Sequence, residues 1–231
     1  MTVKLVHASG NGTKISAPAA NPSADITLKV PSTTGTAGQV LVVASANHSS
    51  TNAELEFSGS ARRVLEQFFC PCDGSVIATS GGDITITDKD DAQTLTTSYA
   101  DVIGSSITYT PPTGTTQVIY EYKFSGNRDG DDHPFGHFKF FIGSDEVTDA
   151  RTTYGGAYTE AQYSFKWGIN IGGSAVTATG RQASWSSGKV LKLQGRDYGS
   201  SNDFKLNQTY LWDGGASSQF QRPQIGITAI G

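Results

Sequence analysis

The side chains that could hold a metal ion are concentrated in one polar stretch, NRDGDDHPFGHF at positions 127–138. It contains Asp129, Asp131, Asp132 and His133, and such closely spaced carboxylates can chelate Ca²⁺, which selects hard oxygen ligands. The stretch lacks the acidic pattern and terminal Glu of an EF-hand loop. Because Asp and Gly are also the residues that turns require, we expect a solvated turn between two strands. A divalent-cation site and a host-recognition loop are the alternatives.

Groups suited to catalysis are present, but no recognisable motif brings them together. There is no G-x-S-x-G sequence, and the thiols of Cys70 and Cys72 have no His partner in a motif. Glycoside cleavage needs two carboxylates about 5–9 Å apart. The carboxylates of SDEVTD (144–149) and DKDD (88–91) lie in turn contexts, where solvated charge is the default. We therefore predict no enzymatic activity, no cofactor and no catalytic residue.

Three aromatic residues next to turns are candidates for binding a glycan or a partner protein. They are Trp185 in RQASWSS and Tyr210 and Trp212 in QTYLWDGG. Sugar sites on β-sandwich loops use aromatic platforms beside amide and carboxylate hydrogen-bonding groups, which favours this interpretation. The alternative is that these residues lie in the core or at a subunit contact, because large aromatics dominate both environments.

The two cysteines, Cys70 and Cys72, flank Pro71. An extended Cys-Pro-Cys is poorly shaped to form its own disulfide, and two cysteines cannot supply a disulfide framework. A structural zinc site normally has four ligands, and the sequence offers neither a second CxxC nor a close His pair. We predict two free thiols on one face of a strand, flanked by Phe68 and Phe69, with a structural rather than a reactive role.

The composition excludes several classes of protein. Only 16% of the 231 residues are charged, and the formal net charge is −4 without a basic cluster, which argues against nucleic-acid binding. The longest apolar run, QVLVVASA, is far shorter than the roughly 20 residues of a membrane span. The first twelve residues, MTVKLVHASGNG, lack the apolar core of a signal peptide. We therefore expect neither membrane insertion nor export through the usual secretory route.

The chain divides into two parts of different character. Residues 1–57 contain short β-like runs with almost no aromatic side chains: VKLV, TKIS, ITLKV, QVLVV and LEF. These runs bury too little apolar area to fold alone at about 25 cal/mol per Å². This part must gain burial from copies of itself or from another protein, or else remain a flexible arm.

Residues 58–231 contain both cysteines, all three Trp, all nine Tyr and ten of the eleven Phe. Apolar residues alternate with polar ones in QVIYEYKFS, where one face carries Val118, Tyr120, Tyr122 and Phe124. The same period of two in QYSFKWGINI places Tyr163, Phe165, Trp167, Ile169 and Ile171 on one face. This period is typical of strands with one face in a core. Because the sequence offers no credible crossover helix, the pattern predicts an all-β antiparallel β-sandwich, most often a jelly roll.

Two segments of the chain resemble fibre proteins of bacteriophages, especially marine ones that infect cyanobacteria. NPSADITLKVPSTTGTAGQVLV (21–42) is similar to a module near the N-termini of such tail fibres and appendages. SSITYTPPTGTTQVIYEYKF (105–124) and HFKFFIGSDEVTDARTTYGG (137–156) are similar to their C-terminal β-sandwich. The resemblance implies a homotrimer whose knob has the jelly-roll topology of tumour necrosis factor and complement C1q heads.

These observations predict a virion protein, assembled in the cytoplasm of a bacterial host. Residues 1–57 would be an attachment or shaft segment that docks on other virion proteins, and residues 58–231 a trimeric knob that contacts the host surface or another fibre. A capsid-bound fibre or decoration protein is one alternative. A free carbohydrate-binding or hydrolytic module is the alternative from a different class.

Overall fold

A computed structural model describes most of the chain: residues 2–6, 12–16, 27–29, 31, 39–43, 52–58, 62–128, 135–155, 160–200, 204–209, 212–213 and 219–231. It divides into two compact units, Met1–Ala61 and Arg62–Gly231. The boundary that the sequence predicts, between residues 57 and 58, falls at the end of the last strand of the first unit. That strand, Asn52–Ser58, lies wholly within the first unit.

The described residues of the first unit form short strands: β1 (Thr2–Val6), β2 (Gly12–Ser16), β3 (Thr27–Lys29), β4 (Val40–Val43) and β5 (Asn52–Ser58). β1 and β2 form an antiparallel pair from Thr2 opposite Ser16 to Val6 opposite Gly12. β5 lies between β3, to which it is parallel, and β4, to which it is antiparallel. The strands follow the β-like runs of the sequence.

The second unit combines long strands of 7 to 12 residues with short ones of two or three residues. Its strands are β6 (Val64–Pro71), β7 (Val76–Ile77), β8 (Ile84–Thr85), β9 (Gln93–Thr94), β10 (Ala100–Asp101), β11 (Ile107–Tyr109), β12 (Gln117–Arg128), β13 (Phe135–Ile142), β14 (Asp145–Gly155), β15 (Ala161–Asn170), β16 (Lys189–Asp197), β17 (Phe204–Leu206), β18 (Gln208–Thr209), β19 (Gln219–Phe220) and β20 (Gln224–Ile230). A 3₁₀ turn, Thr177–Thr179, precedes β16. No helix in the described part of the chain has the length and apolar character needed to cross a bilayer.

Two antiparallel sheets form the sandwich. In the first sheet β6 pairs with β20, β20 with β12, and β12 with β15, while β17 and β9 extend it beside β12. In the second sheet β10 and β11 pair with β16, β16 with β13, and β13 with β14. The strand orders β6–β20–β12–β15 and β11–β16–β13–β14 are those of a jelly roll. The predicted antiparallel β-sandwich is confirmed.

The core lies between the inner faces of these sheets and is rich in aromatic rings. Tyr120 and Phe124 of β12 face Phe140 and Phe138 of β13, with ring centroids 5.1 Å and 5.5 Å apart. The alternation predicted for β12 is confirmed, since Val118, Tyr120, Tyr122 and Phe124 are all buried. In β15, Phe165 and Ile169 are likewise buried, while Lys166 is exposed. Rings from facing strands therefore pack directly against one another where the two sheets meet.

Candidate functional site

The predicted cation ligands Asp129, Asp131, Asp132 and His133 lie outside the described residues. The structure describes the strands on either side, with β12 ending at residue 128 and β13 beginning at Phe135. In the part of the chain that the structure describes, no group of three or more His, Cys, Asp or Glu side chains is arranged to hold a metal ion.

Trp185 is a core residue, and its candidacy as an exposed glycan platform is wrong. Its side chain is only 7% exposed. The indole Nε1 donates a hydrogen bond to the carbonyl oxygen of Tyr109 at 3.1 Å, and the two rings meet edge to face. The turn residues beside Trp185 suggested exposure, but the indole points inward from the loop before β16 and satisfies its donor there.

Of the other two aromatic candidates, only Trp212 lies within the described residues. Trp212 is 55% exposed, as a platform or a partner contact would require. Tyr210 lies outside the described residues, so the pair of rings that the sequence suggested is described only in part.

Three carboxylates of SDEVTD and DKDD, those of Glu146, Asp88 and Asp91, are held in ion pairs. Glu146 accepts hydrogen bonds from Arg151 at 2.6 Å and from Lys139 at 3.1 Å. These bonds, with that from Arg151 the larger cause, hold the pKa of Glu146 below its ordinary value. A carboxyl group with a lowered pKa stays ionised near neutral pH, so Glu146 is unsuited to act as a general acid.

The second acidic run shows the same arrangement. Asp88 accepts a hydrogen bond from Arg222 at 2.7 Å, and Asp91 pairs with the buried Lys89. Each of these carboxylates has a cation as its partner. Ion pairs of this kind link neighbouring surface segments.

The thiols lie in surroundings that suppress their reactivity. Cys72 is fully buried and its Sγ lies 3.3 Å from the carbonyl oxygen of Gly104. Burial raises the pKa of Cys72 to about 12. Cys70 is partly buried, and burial raises its pKa too. Since the thiolate is the reactive form, both environments disfavour nucleophilic chemistry.

A polar cleft of about 420 Å³ lies between the β7–β8 hairpin and β11. Its walls carry many hydroxyl groups, among them those of Thr85, Thr87, Ser106 and Thr108, and one carboxylate, that of Asp83. Hydroxyl groups and a lone carboxylate can form hydrogen bonds with a neutral polar ligand. They do not form the nucleophile–base pair that covalent catalysis requires.

Glu66 fixes the wall of this cleft to the sandwich. Its Oε1 accepts a hydrogen bond from the Tyr109 hydroxyl at 2.7 Å, and its Oε2 accepts bonds from Ser80 N and Oγ at 2.6 Å and 2.9 Å. The carboxylate therefore has three donors, two of them on the turn that joins β7 to β8. Its role is to hold that turn against β11.

The solvent-facing side of the second sheet carries a concentration of aromatic and cationic side chains. We call it the aromatic–cation face and define it by Tyr99, Phe135, His137, Lys139, Arg196 and Tyr198. Phe135, Tyr99 and Tyr198 are among the most exposed large apolar side chains in the described part of the chain, at 37%, 37% and 59%. Sequence analysis missed this face, because its members come from three separate segments that only the strand register brings together.

Comparisons with known proteins add the following. No protein-family model matches the chain, and no curated protein matches its sequence. Among solved structures, a chain of the infectious bursal disease virus Gx strain aligns over 81% of this chain and 46% of its own length, with 6% identity and a TM-score of 0.32. A chain of the Gt strain of that virus aligns over 67% of this chain and 38% of its own length, with 12% identity and a TM-score of 0.25. This chain therefore spans less than half the length of either virus chain.

Proposed function

We propose that the chain is a structural protein of a bacteriophage virion, a small homotrimeric fibre or appendage. In this proposal the first unit docks on the particle, and the sandwich is a knob that contacts the host surface or another fibre. The observation that carries the proposal is the pairing of a thin β-rich unit with a jelly-roll sandwich in one chain. That pairing matches the order of the two segments that resemble phage fibres.

The short strands of the first unit support the docking role. Its described strands have three to seven residues, and one of its pairings, β3 with β5, is parallel. Strands this short bury little area in one copy, so contacts with further chains would add to their stability. A virion supplies such chains at high local concentration.

The sandwich supports a binding rather than an enzymatic role. Three carboxylates of its acidic runs, Asp88, Asp91 and Glu146, pair with Lys or Arg, and its thiols are fully or partly buried. On one sheet face, exposed aromatic rings lie beside the cations Lys139 and Arg196. Such groups recognise a partner and do not by themselves activate a bond.

A second candidate function, a free carbohydrate-binding module, is favoured by the exposed rings of the aromatic–cation face. The two functions differ in location. A fibre stays with the particle, whereas a free module does not.

Purified phage particles test the proposal directly. Particles of the phage that encodes this chain are sedimented through a density gradient and probed with an antibody raised against the second unit. We expect the antibody signal to co-sediment with infectious particles, and gold-labelled antibody to mark one structure on the particle in electron micrographs. A signal confined to the soluble fraction would exclude a virion protein and favour the free module. Labelling on the capsid surface instead of the tail would indicate a decoration protein.

A further inference from the structure

We infer that the aromatic–cation face binds an acidic polysaccharide, a sugar polymer that carries carboxylate groups. The inference rests on the proposed host-contact role and names the class of ligand for it. Its three supports are the exposed rings, the guanidinium of Arg196, which pairs with no carboxylate among the described residues, and the paired strands that position these groups.

The rings form a connected cluster at one end of the sheet. Phe135 and Tyr198 meet edge to face with centroids 5.3 Å apart, and His137 lies 5.9 Å from the first ring and 5.6 Å from the second. The backbone N–H of Tyr198 donates to the carbonyl oxygen of Phe135 at 2.8 Å, which fixes the two residues relative to one another. Rings held in this way offer amphipathic contact area at a low entropic cost, and the apolar C–H face of a pyranose fits such a surface.

The cations beside the rings differ in how far they are neutralised. Lys139 and Arg151 share the carboxylate of Glu146, and Lys192 pairs with Asp101 at 2.9 Å. Thus the carboxylates of Glu146 and Asp101 are the ion-pair partners of three cations.

Arg196 is the cation at the centre of the face. Within the described residues it pairs with no carboxylate. Its guanidinium lies over the ring of Tyr99 at 5.4 Å and close to the carbonyl oxygen of Thr97 at 3.5 Å. Lys139 lies over the same ring, with its Nζ 4.4 Å from the centroid. An uncompensated guanidinium held by an aromatic ring is suited to bind a carboxylate, often through two parallel hydrogen bonds.

The strand register places these groups in one row across the sheet. Ala100 pairs with Gly195, which sets Tyr99 opposite Arg196. Arg196 pairs with His137, and His137 pairs with Thr153. Arg196, His137 and Thr153 lie on paired strands, and Tyr99 immediately precedes β10, so little ordering of this row is needed when a ligand binds.

The charge of the whole chain strengthens the argument. The formal net charge is −4, so the molecule as a whole repels polyanions. The guanidinium of Arg196 on an acidic protein therefore indicates local complementarity to an acidic ligand rather than general affinity for negative charge. The exposed rings favour a sugar polymer over a purely acidic peptide, because the C–H face of a sugar stacks on a ring, whereas Asp and Glu side chains offer no such apolar face.

Isothermal titration calorimetry with the full-length protein tests the inference. The probes are an oligogalacturonate, a maltooligosaccharide of equal length as the neutral sugar, an oligoglutamate as the acidic polymer without sugar, and a single-stranded oligonucleotide. We expect binding of the oligogalacturonate, with a Kd at least about tenfold lower than for any other probe. Absence of binding, or equal binding of oligoglutamate or the oligonucleotide, would overturn the inference.

Variants then locate the site. Arg196→Gln and Tyr198→Ala should each raise the Kd for the oligogalacturonate by about tenfold, the loss expected when a central contact is truncated. The matched controls are Phe69→Ala and Lys123→Gln, an exposed ring and a cation 4.7 Å apart on the opposite sheet. These controls should leave the Kd unchanged. Equal losses in both pairs of variants would show that the binding does not belong to this face.

Thermal unfolding of each variant separates loss of binding from loss of fold. A variant that unfolds at the temperature of the unmodified protein and no longer binds supports the inference. If Tyr198→Ala fails to fold, Arg196→Gln decides alone. Particle sedimentation decides the proposed virion role independently, so the protein can be a virion component whose face binds no sugar, and the two failures are distinguishable.

Discussion

Phe165 and Lys166 are neighbours in the chain, but their side chains lie in opposite environments. Phe165 is buried, with its ring centroid 5.3 Å from that of Phe140 and 6.1 Å from that of Tyr120. The Lys166 side chain is 59% exposed, and its Nζ lies 3.4 Å from Oε2 of Glu121. We expect Phe165→Ala to lower the free energy of unfolding by about 3–5 kcal/mol, because it opens a cavity between the sheets. Lys166→Ala should cost less than about 1 kcal/mol.

Urea unfolding followed by tryptophan fluorescence measures both values. Equal costs for the two substitutions would show that β15 does not present Phe165 to the core as described.

The thiol of Cys72 should resist modification in the folded protein. Its pKa is raised from an ordinary 9.0 to about 12 by burial, so at a given neutral pH its thiolate fraction is about a thousandfold lower than that of a free thiol. We expect iodoacetamide to label Cys72 only after local or global opening, and at the normal rate in 6 M guanidinium. Peptide mass spectrometry separates it from Cys70, whose pKa is raised less and whose side chain is less buried. Labelling of Cys72 in the native protein at the rate of free cysteine would contradict its burial.

At the residue scale, alternation predicted which side chains of β12 and β15 point inward. The period of a strand fixes the face of each residue, and aromatic content shows which face is buried. The burial of Trp185 could not be predicted from alternation. The residue belongs to a loop, where no period applies, and its burial depends on a hydrogen bond to Tyr109, which is distant in sequence.

At the scale of strands, two glycines in paired strands give opposite predictions. A Cβ added to Gly126 of β12 would lie 2.6 Å from Cε1 of Phe204 and 2.6 Å from Cε2 of Tyr163, both ring atoms in or beside the core. A Cβ at Gly168 of β15 would come no closer than 3.4 Å to the amide of Gln117, a flexible side chain. We expect Gly126→Ala to cost about 1–3 kcal/mol through overpacking. Gly168→Ala should change the free energy of unfolding by less than about 0.5 kcal/mol.

Thermal and urea unfolding of the two alanine variants check this prediction. A Gly126→Ala protein as stable as the unmodified one would mean that the Phe204 and Tyr163 rings can move away from β12 at little cost.

The end of β12 shows a limit of strand-level prediction. A strand with one face in a core should expose Ser125 and Asn127, yet both are buried. The chain after β17 lies against this end, because Asn207 N donates to the carbonyl oxygen of Ser125 and Gln221 N donates to that of Asn207. Contacts between segments some 80 residues apart in sequence leave no periodic signal. The aromatic–cation face escaped prediction for the same reason, since Tyr99 and Arg196 are neighbours only through strand register.

For the whole molecule, the sequence predicted the sandwich because aromatic-rich alternation runs through most of the second unit. It also predicted a change of character near residue 58, close to where the compact second unit begins at Arg62. The number of copies in the assembly does not follow from such patterns within one chain. It depends on surfaces that meet only in the complex, and the expectation of three copies comes from the resemblance to phage fibres.

The last prediction concerns that assembly. If the chain is a trimeric fibre, light scattering of the full-length protein should give three times the 24.4 kDa mass of one chain. Association would also cover strand edges and exposed rings that invite aggregation in a protein with few surface charges.

A protein of residues 62–231 should fold and remain oligomeric, because the sandwich holds its own core, but it should fail to join particles when supplied in place of the full chain. A peptide of residues 1–58 should be largely unfolded by circular dichroism unless its virion partner is added. A monodisperse monomer of the full chain, or normal incorporation of the 62–231 protein, would contradict this division of roles between the two units.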